Sequence, residues 1–102
     1  MPFKNLPYGL SHKAEHDLEE IFDYTFTEFG IHDAVYYTKS LAHLIERLPT
    51  NPKMEKERKE IRDGLYSSEH GKHIIFYRIL PKCIWIVRIL HGKQDMPPCF
   101  LF

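Results

Sequence analysis

"HIIFYRILPKCIWIVRIL" (residues 73–90) decides the fold. Two runs dense in β-branched and aromatic residues flank Pro81 and Lys82, the composition of two strands joined by a turn. An antiparallel hairpin is expected. Each run carries one arginine well inside it, Arg78 and Arg88, and a charge in an apolar strand is costly to desolvate. Their direction depends on the hairpin register, and two registers are open. A loop of residues 80–82 sets residue 78 opposite 84 and puts both arginines on one face with Ile74, Phe76, Ile84 and Ile86. If Leu80 pairs with Cys83, residue 78 opposes 85 and the arginines take opposite faces. Proline at the second turn position favours turn types I and II, which leans toward the odd or longer loop. The structural reading pairs each arginine with a nearby carboxylate such as Glu60 or Asp63.

Upstream, the periodicity changes from two to three and four. Tyr8-Gly9-Leu10 reads as the end of a short strand and Ser11 as a helix N-cap. Ala14, Leu18, Ile21, Phe22, Thr25 and Phe29 then recur at helical spacing, with Asp17, Glu19, Glu20 and Asp23 mostly off that apolar face. Gly30 ends this helix. A second helix follows, with Ile31, Ala34, Val35, Thr38, Leu41, Ala42, Ile45 and Leu48 on one side, and Pro49 stops it. So short a connection implies an antiparallel helical hairpin. The expected core is Leu18, Ile21, Phe22, Leu41 and Ile45. Residues 49–60 are hydrophilic, opened by two prolines, and read as a loop. "EIRDGLYSS" after it is a weak strand with Gly64 inside. The predicted fold is α+β: one domain over residues 1–102, with a strand, a helical hairpin and a small, mostly antiparallel sheet. The tail 96–102 is read as extended.

Composition bounds the function classes. The 102 residues suit one domain, and 43 % hydrophobic against 27 % charged residues is an ordinary globular balance. Fourteen basic and 14 acidic residues cancel, which gives no support for general nucleic-acid binding. No apolar run approaches the roughly 18 residues of a membrane span, and the first residues hold no signal-peptide core. Cys83 and Cys99 make neither a disulfide framework nor a zinc motif, so a reducing, cytoplasmic setting is expected, with no metal and no cofactor. His73 and His91 fall near one end of the hairpin and suggest a general base or a metal pair, with no third ligand at suitable spacing. The basic run 53–62 is interrupted by Glu55, Glu57 and Glu60 and reads as a solvated loop. Trp85, Tyr77 and Phe76 read mainly as core.

"YGLSHKAEHDLEEIFDYTFTEFG" (8–30), with its Leu-Ser, Ala-x-x-Asp-Leu, Tyr-Thr and closing Gly, resembles the opening of the ParE branch of the RelE/ParE toxin superfamily. "EIRDGLYS" (60–67), "HGKHIIFYRI" (70–79) and "IWIVRILHGKQD" (84–95) are similar to later segments of that family, in order and correctly spaced. The resemblance implies the toxin of a type II toxin-antitoxin system, acting on DNA gyrase and neutralised by an acidic, ParD-like antitoxin in a hetero-oligomer. Such a toxin is an inhibitor and not an enzyme, and needs no direct nucleic-acid contact. The arginines then belong to a helix-free sheet face kept soluble until an antitoxin covers it.

Carried onto this chain, the resemblance implies gyrase contacts at Arg78, Arg88, His91, Lys93, Asp95, Phe100, Leu101 and Phe102. It implies antitoxin contacts at Leu10, Tyr24, Tyr36, Tyr37, Arg78 and Trp85. The competing reading is a RelE-like, ribosome-dependent mRNA endoribonuclease using Arg62, Arg78, Arg88, His91 and Lys93. The tail "DMPPCFLF" lacks the C-terminal Tyr, His, Lys or Arg that such nucleases use. Tyr66 stands where the family often has Arg, and Gln94 where it has Met, so an inactive toxin that retains antitoxin binding is a further reading.

Overall fold

The computed structural model describes residues 8–48 and 56–92. Five strands and two helices follow in the order β1 (Tyr8–Leu10), α1 (His12–Phe29), α2 (Ile31–Arg47), β2 (Lys56–Glu57), β3 (Leu65–His70), β4 (His73–Ile79) and β5 (Ile84–His91). The sheet order is β1-β5-β4-β3-β2, parallel only where β1 joins β5. The architecture is the expected α+β, with β2 adding a short strand inside the segment read as loop.

Local chemistry sets the helix ends. The Ser11 hydroxyl accepts the Ala14 N–H at 3.0 Å and donates to the Val87 carbonyl at 2.7 Å. The same side chain therefore caps α1 and docks it on β5. Gly30, at φ 95°, takes a backbone conformation closed to most L residues and is the whole connection between the helices. The hairpin it creates lays Ala14, Ile21, Leu41, Ile45 and Leu48 on Ile75, Tyr77, Ile84, Ile86 and Ile89 of the sheet. Leu18 and Phe22 are only partly buried, Leu18 packing against the rim of this core.

The opposite sheet face is drier than expected. Leu65, Phe76 and Leu90 form a second buried cluster there, flanked by Ile61, Ile74 and Val87. Gly64 (φ 80°) lies just before β3 and turns the chain into it, so it is not a strand residue.

The β4–β5 register resolves the arginine question. Leu80 N–H donates to the Cys83 carbonyl at 2.8 Å, and Arg78 opposes Trp85. The register then shifts between Phe76 and Tyr77: Tyr77 opposes Ile86, while Phe76 opposes Arg88. Val87 is the extra residue of a β-bulge. Arg78 is exposed. Arg88 is not on an open face, because its guanidinium reaches Asp17 on α1.

Candidate functional site

Asp17 was legible only as a polar residue off the apolar face of α1; in the fold it is buried. Its carboxylate accepts from Arg88 Nε at 2.8 Å and Nη2 at 3.0 Å, and from the Ile89 backbone N–H at 3.0 Å. β1 pairs with β5 only from Ile84 to Ile86, and beyond it Asp17 supplies the acceptor that the buried Ile89 amide needs. A fork-to-fork pair with a third hydrogen bond satisfies a buried carboxylate well. The partner of Arg88 is thus a distant helix residue rather than Glu60 or Asp63. Glu60 bonds Arg58 instead, at 2.6 Å.

A second feature lies at the far end of the helical hairpin. Tyr24, Phe29 and Tyr36 flank the Gly30 turn and are 64 %, 65 % and 72 % exposed. Phe26 and Ile31 add to this exposed apolar surface. Isolated exposed hydrophobics need no explanation, but a contiguous set on one hairpin tip marks a contact surface. These rings form one wall of a groove of about 550 Å³ whose other wall carries Lys72, His73 and His91.

Four polar side chains build the floor and flank of that groove. Tyr37 Oη lies 2.6 Å from His73 Nδ1 and 3.2 Å from the His70 carbonyl. Ser40 donates to the Tyr37 carbonyl at 2.7 Å, and its Oγ stands 2.8 Å from His70 Nε2. The single Ser40 proton is used, so His70 is the donor in that contact. His73 and His91 are opposed across β4 and β5, their rings edge to face at 5.5 Å. Burial pushes the His73 pKa down, and the neighbouring His91 and His70 push it further the same way. Burial raises the Tyr37 phenol, against a hydrogen bond from the Lys72 backbone. No group of three or more His, Cys, Asp or Glu suited to a metal ion occurs among the described residues.

The residues named from sequence fall in separate places. Tyr24, Tyr36 and Tyr37 meet at the groove, with His91 on its far wall. Leu10 packs on the main core instead. Arg78 and Trp85 oppose each other toward the other end of β4 and β5. Trp85, read mainly as core, is 38 % exposed and lies across Gly9, where an added Cβ would come within 2.8 Å of the indole. Arg62 is exposed in the turn before β3. Lys93, Asp95, Phe100, Leu101 and Phe102 lie outside the described residues. Sequence reasoning missed Asp17 as a clamp, Phe29 as a groove residue, Lys72 as another, and His70 as the partner of Ser40. The available signal for the last two was the segment His70-Gly71-Lys72-His73, a two-residue turn bracketed by histidines.

Comparison with known proteins defines the class. Residues 8–96 match the family described as "ParE toxin of type II toxin-antitoxin system, parDE". A relative named Toxin ParE1 from Mycobacterium tuberculosis is 38 % identical over 90 residues, covering 87 % of this chain and 92 % of the relative. Another Toxin ParE1, from Caulobacter vibrioides, is 33 % identical over 89 residues, with the same coverage. A solved structure described as "Chromosomal ParDE TA system from P. aeruginosa" superposes with a TM-score of 0.76 at 20 % identity, covering 88 % of this chain and 99 % of that one, and so matches in fold. The chain belongs to the ParE toxin family of type II toxin-antitoxin systems.

Proposed function

We propose that this chain is a cytoplasmic toxin that inhibits DNA gyrase by binding it, and that a ParD-like antitoxin neutralises it. It is a binding protein and not an enzyme. The observation that carries the antitoxin reading is the row of exposed rings at the hairpin tip, Tyr24, Phe29 and Tyr36, beside a groove ready to take apolar anchors. An amphipathic, acidic segment that folds as it binds would bury those rings and lay carboxylates against Lys72. The solved ParDE system from P. aeruginosa, similar in fold, supports such a two-component assembly.

The nuclease reading fares less well. Its proposed group, Arg62, Arg78, Arg88, His91 and Lys93, needs convergent free cations, yet Arg88 is committed to Asp17 and Arg78 and His91 lie toward opposite ends of the sheet. The gyrase contacts in this reading are Arg78, exposed toward the turn end of β4, and the C-terminal residues beyond 92.

Controlled expression tests this reading. Induction should arrest growth, and co-expression of the antitoxin should restore it. A Tyr24→Ser/Tyr36→Ser variant should still arrest growth while escaping rescue. Full rescue of that variant would move the antitoxin site elsewhere.

A further inference from the structure

The groove floor has a property of its own, independent of any partner. Tyr37 is the side chain by which α2 touches the β3–β4 turn, and the fit is close. Gly71, at φ 57°, lies under the phenol, and a Cβ there would stand 2.7 Å from Tyr37 Oη. The phenol has one proton. With His73 neutral and its ring proton on Nε2, the phenol proton goes to Nδ1 at 2.6 Å, the shorter of its two acceptors. With His73 charged, Nδ1 becomes a donor and the phenol proton must turn to the His70 carbonyl at 3.2 Å.

We infer that Tyr37 and His73 form a proton-operated latch holding the helical hairpin against the β3–β4 turn, and that protonation of His73 opens the groove above them. Beyond the phenol, the surroundings give the imidazolium little to bind. Tyr37 faces it from α2, His70 from β3, Lys72 from the turn and His91 from β5. Lys72 is cationic, and His70 and His91 both disfavour the charged form of His73. The carboxylates nearby line the hollows to either side: Asp33 on the groove, and Glu69 on the shallower opening across the turn. Asp33 is already 3.6 Å from His32, and neither carboxylate makes an ion pair with His73.

A half-buried imidazolium among like charges lowers its energy by moving into water. His73 is the first residue of β4 and closes the Gly71-Lys72 turn against His70, so that movement pulls on the turn. The burial and the two neighbouring histidines that depress His73 fix the sign. The open form binds the proton more tightly, so the closed form is favoured above about pH 6.5 and loses ground as pH falls through the depressed value.

The test is hydrogen exchange on the isolated protein at pH 7.5 and 5.5, corrected for intrinsic rates, with His73 followed by NMR titration. Protection at Gly71–His73 and around Tyr37 should fall in step with His73 protonation. The fall should be about tenfold for each unit by which the closed-state midpoint lies below the open-state one. His73→Gln should keep its protection at pH 5.5. His91→Gln removes one repelling neighbour and should raise the His73 midpoint, which decides the matter if His73→Gln does not fold. Unchanged protection in the wild type through the titration overturns the latch, as does equal acid loss in His73→Gln or an unmoved midpoint in His91→Gln.

Discussion

Asp17 and Arg88 join the first helix to the last strand of the described chain through two hydrogen bonds, 2.8 and 3.0 Å long. The third, donated by the Ile89 amide to Asp17, takes over where the pairing of β1 with β5 stops at Ile86. Removing one partner strands the other, so Asp17→Ala should cost about 3–5 kcal/mol. Arg88→Met, which keeps the packing stem, should cost less than Arg88→Ala. A double-mutant cycle read by urea unfolding checks the pair: coupling indistinguishable from zero would show that the contact is decorative.

The core prediction follows the burial pattern. Leu41→Ala and Ile45→Ala each remove a fully enclosed side chain and should cost about 2–5 kcal/mol. Phe22→Ala should cost less than either, because Phe22 sits half out of the core and stacks on the exposed Phe26. Thermal unfolding in the reverse order would mean that the helix faces are misassigned.

Gly9 is required by Trp85 rather than by its own backbone. Gly9→Val should displace the indole from β1, red-shift its fluorescence and cost about 1–3 kcal/mol through overpacking. An unshifted emission maximum would show that the ring has room.

The C-terminal residues carry a functional prediction. Deleting residues 97–102 should leave folding and antitoxin binding nearly intact while abolishing gyrase inhibition. Retained inhibition would assign the gyrase contact to the strand surface around Arg78. Loss of folding would assign the tail to the core.

How much of this was readable in advance differs from element to element. The strand character of 73–90 and the helical period of 12–47 were plain, because side-chain chemistry and spacing state them directly. The Ser11 cap and the Gly30 corner were equally plain. The register was not, since the Leu80–Cys83 turn admits two pairings and the bulge at Val87 has no compositional mark. Asp17 misled for a related reason. Its position on α1 is polar in pattern, and only the tertiary approach of β5 turns it inward. The histidine network needed the same long-range information, joining α2 to β3, β4 and β5. Phe29, Ile31 and Val35 point the other way: read at helical spacing on the apolar faces, which usually signals core, they stay outside.

The central claim is that this chain poisons gyrase and that an antitoxin relieves it. Purified gyrase, supercoiled DNA and ATP, with the chain added alone and then with its antitoxin, test it most directly. Supercoiling should cease and cleaved DNA accumulate with the chain alone, and both effects should vanish with the antitoxin. Unimpaired gyrase, alongside mRNA cut on translating ribosomes, would contradict the account.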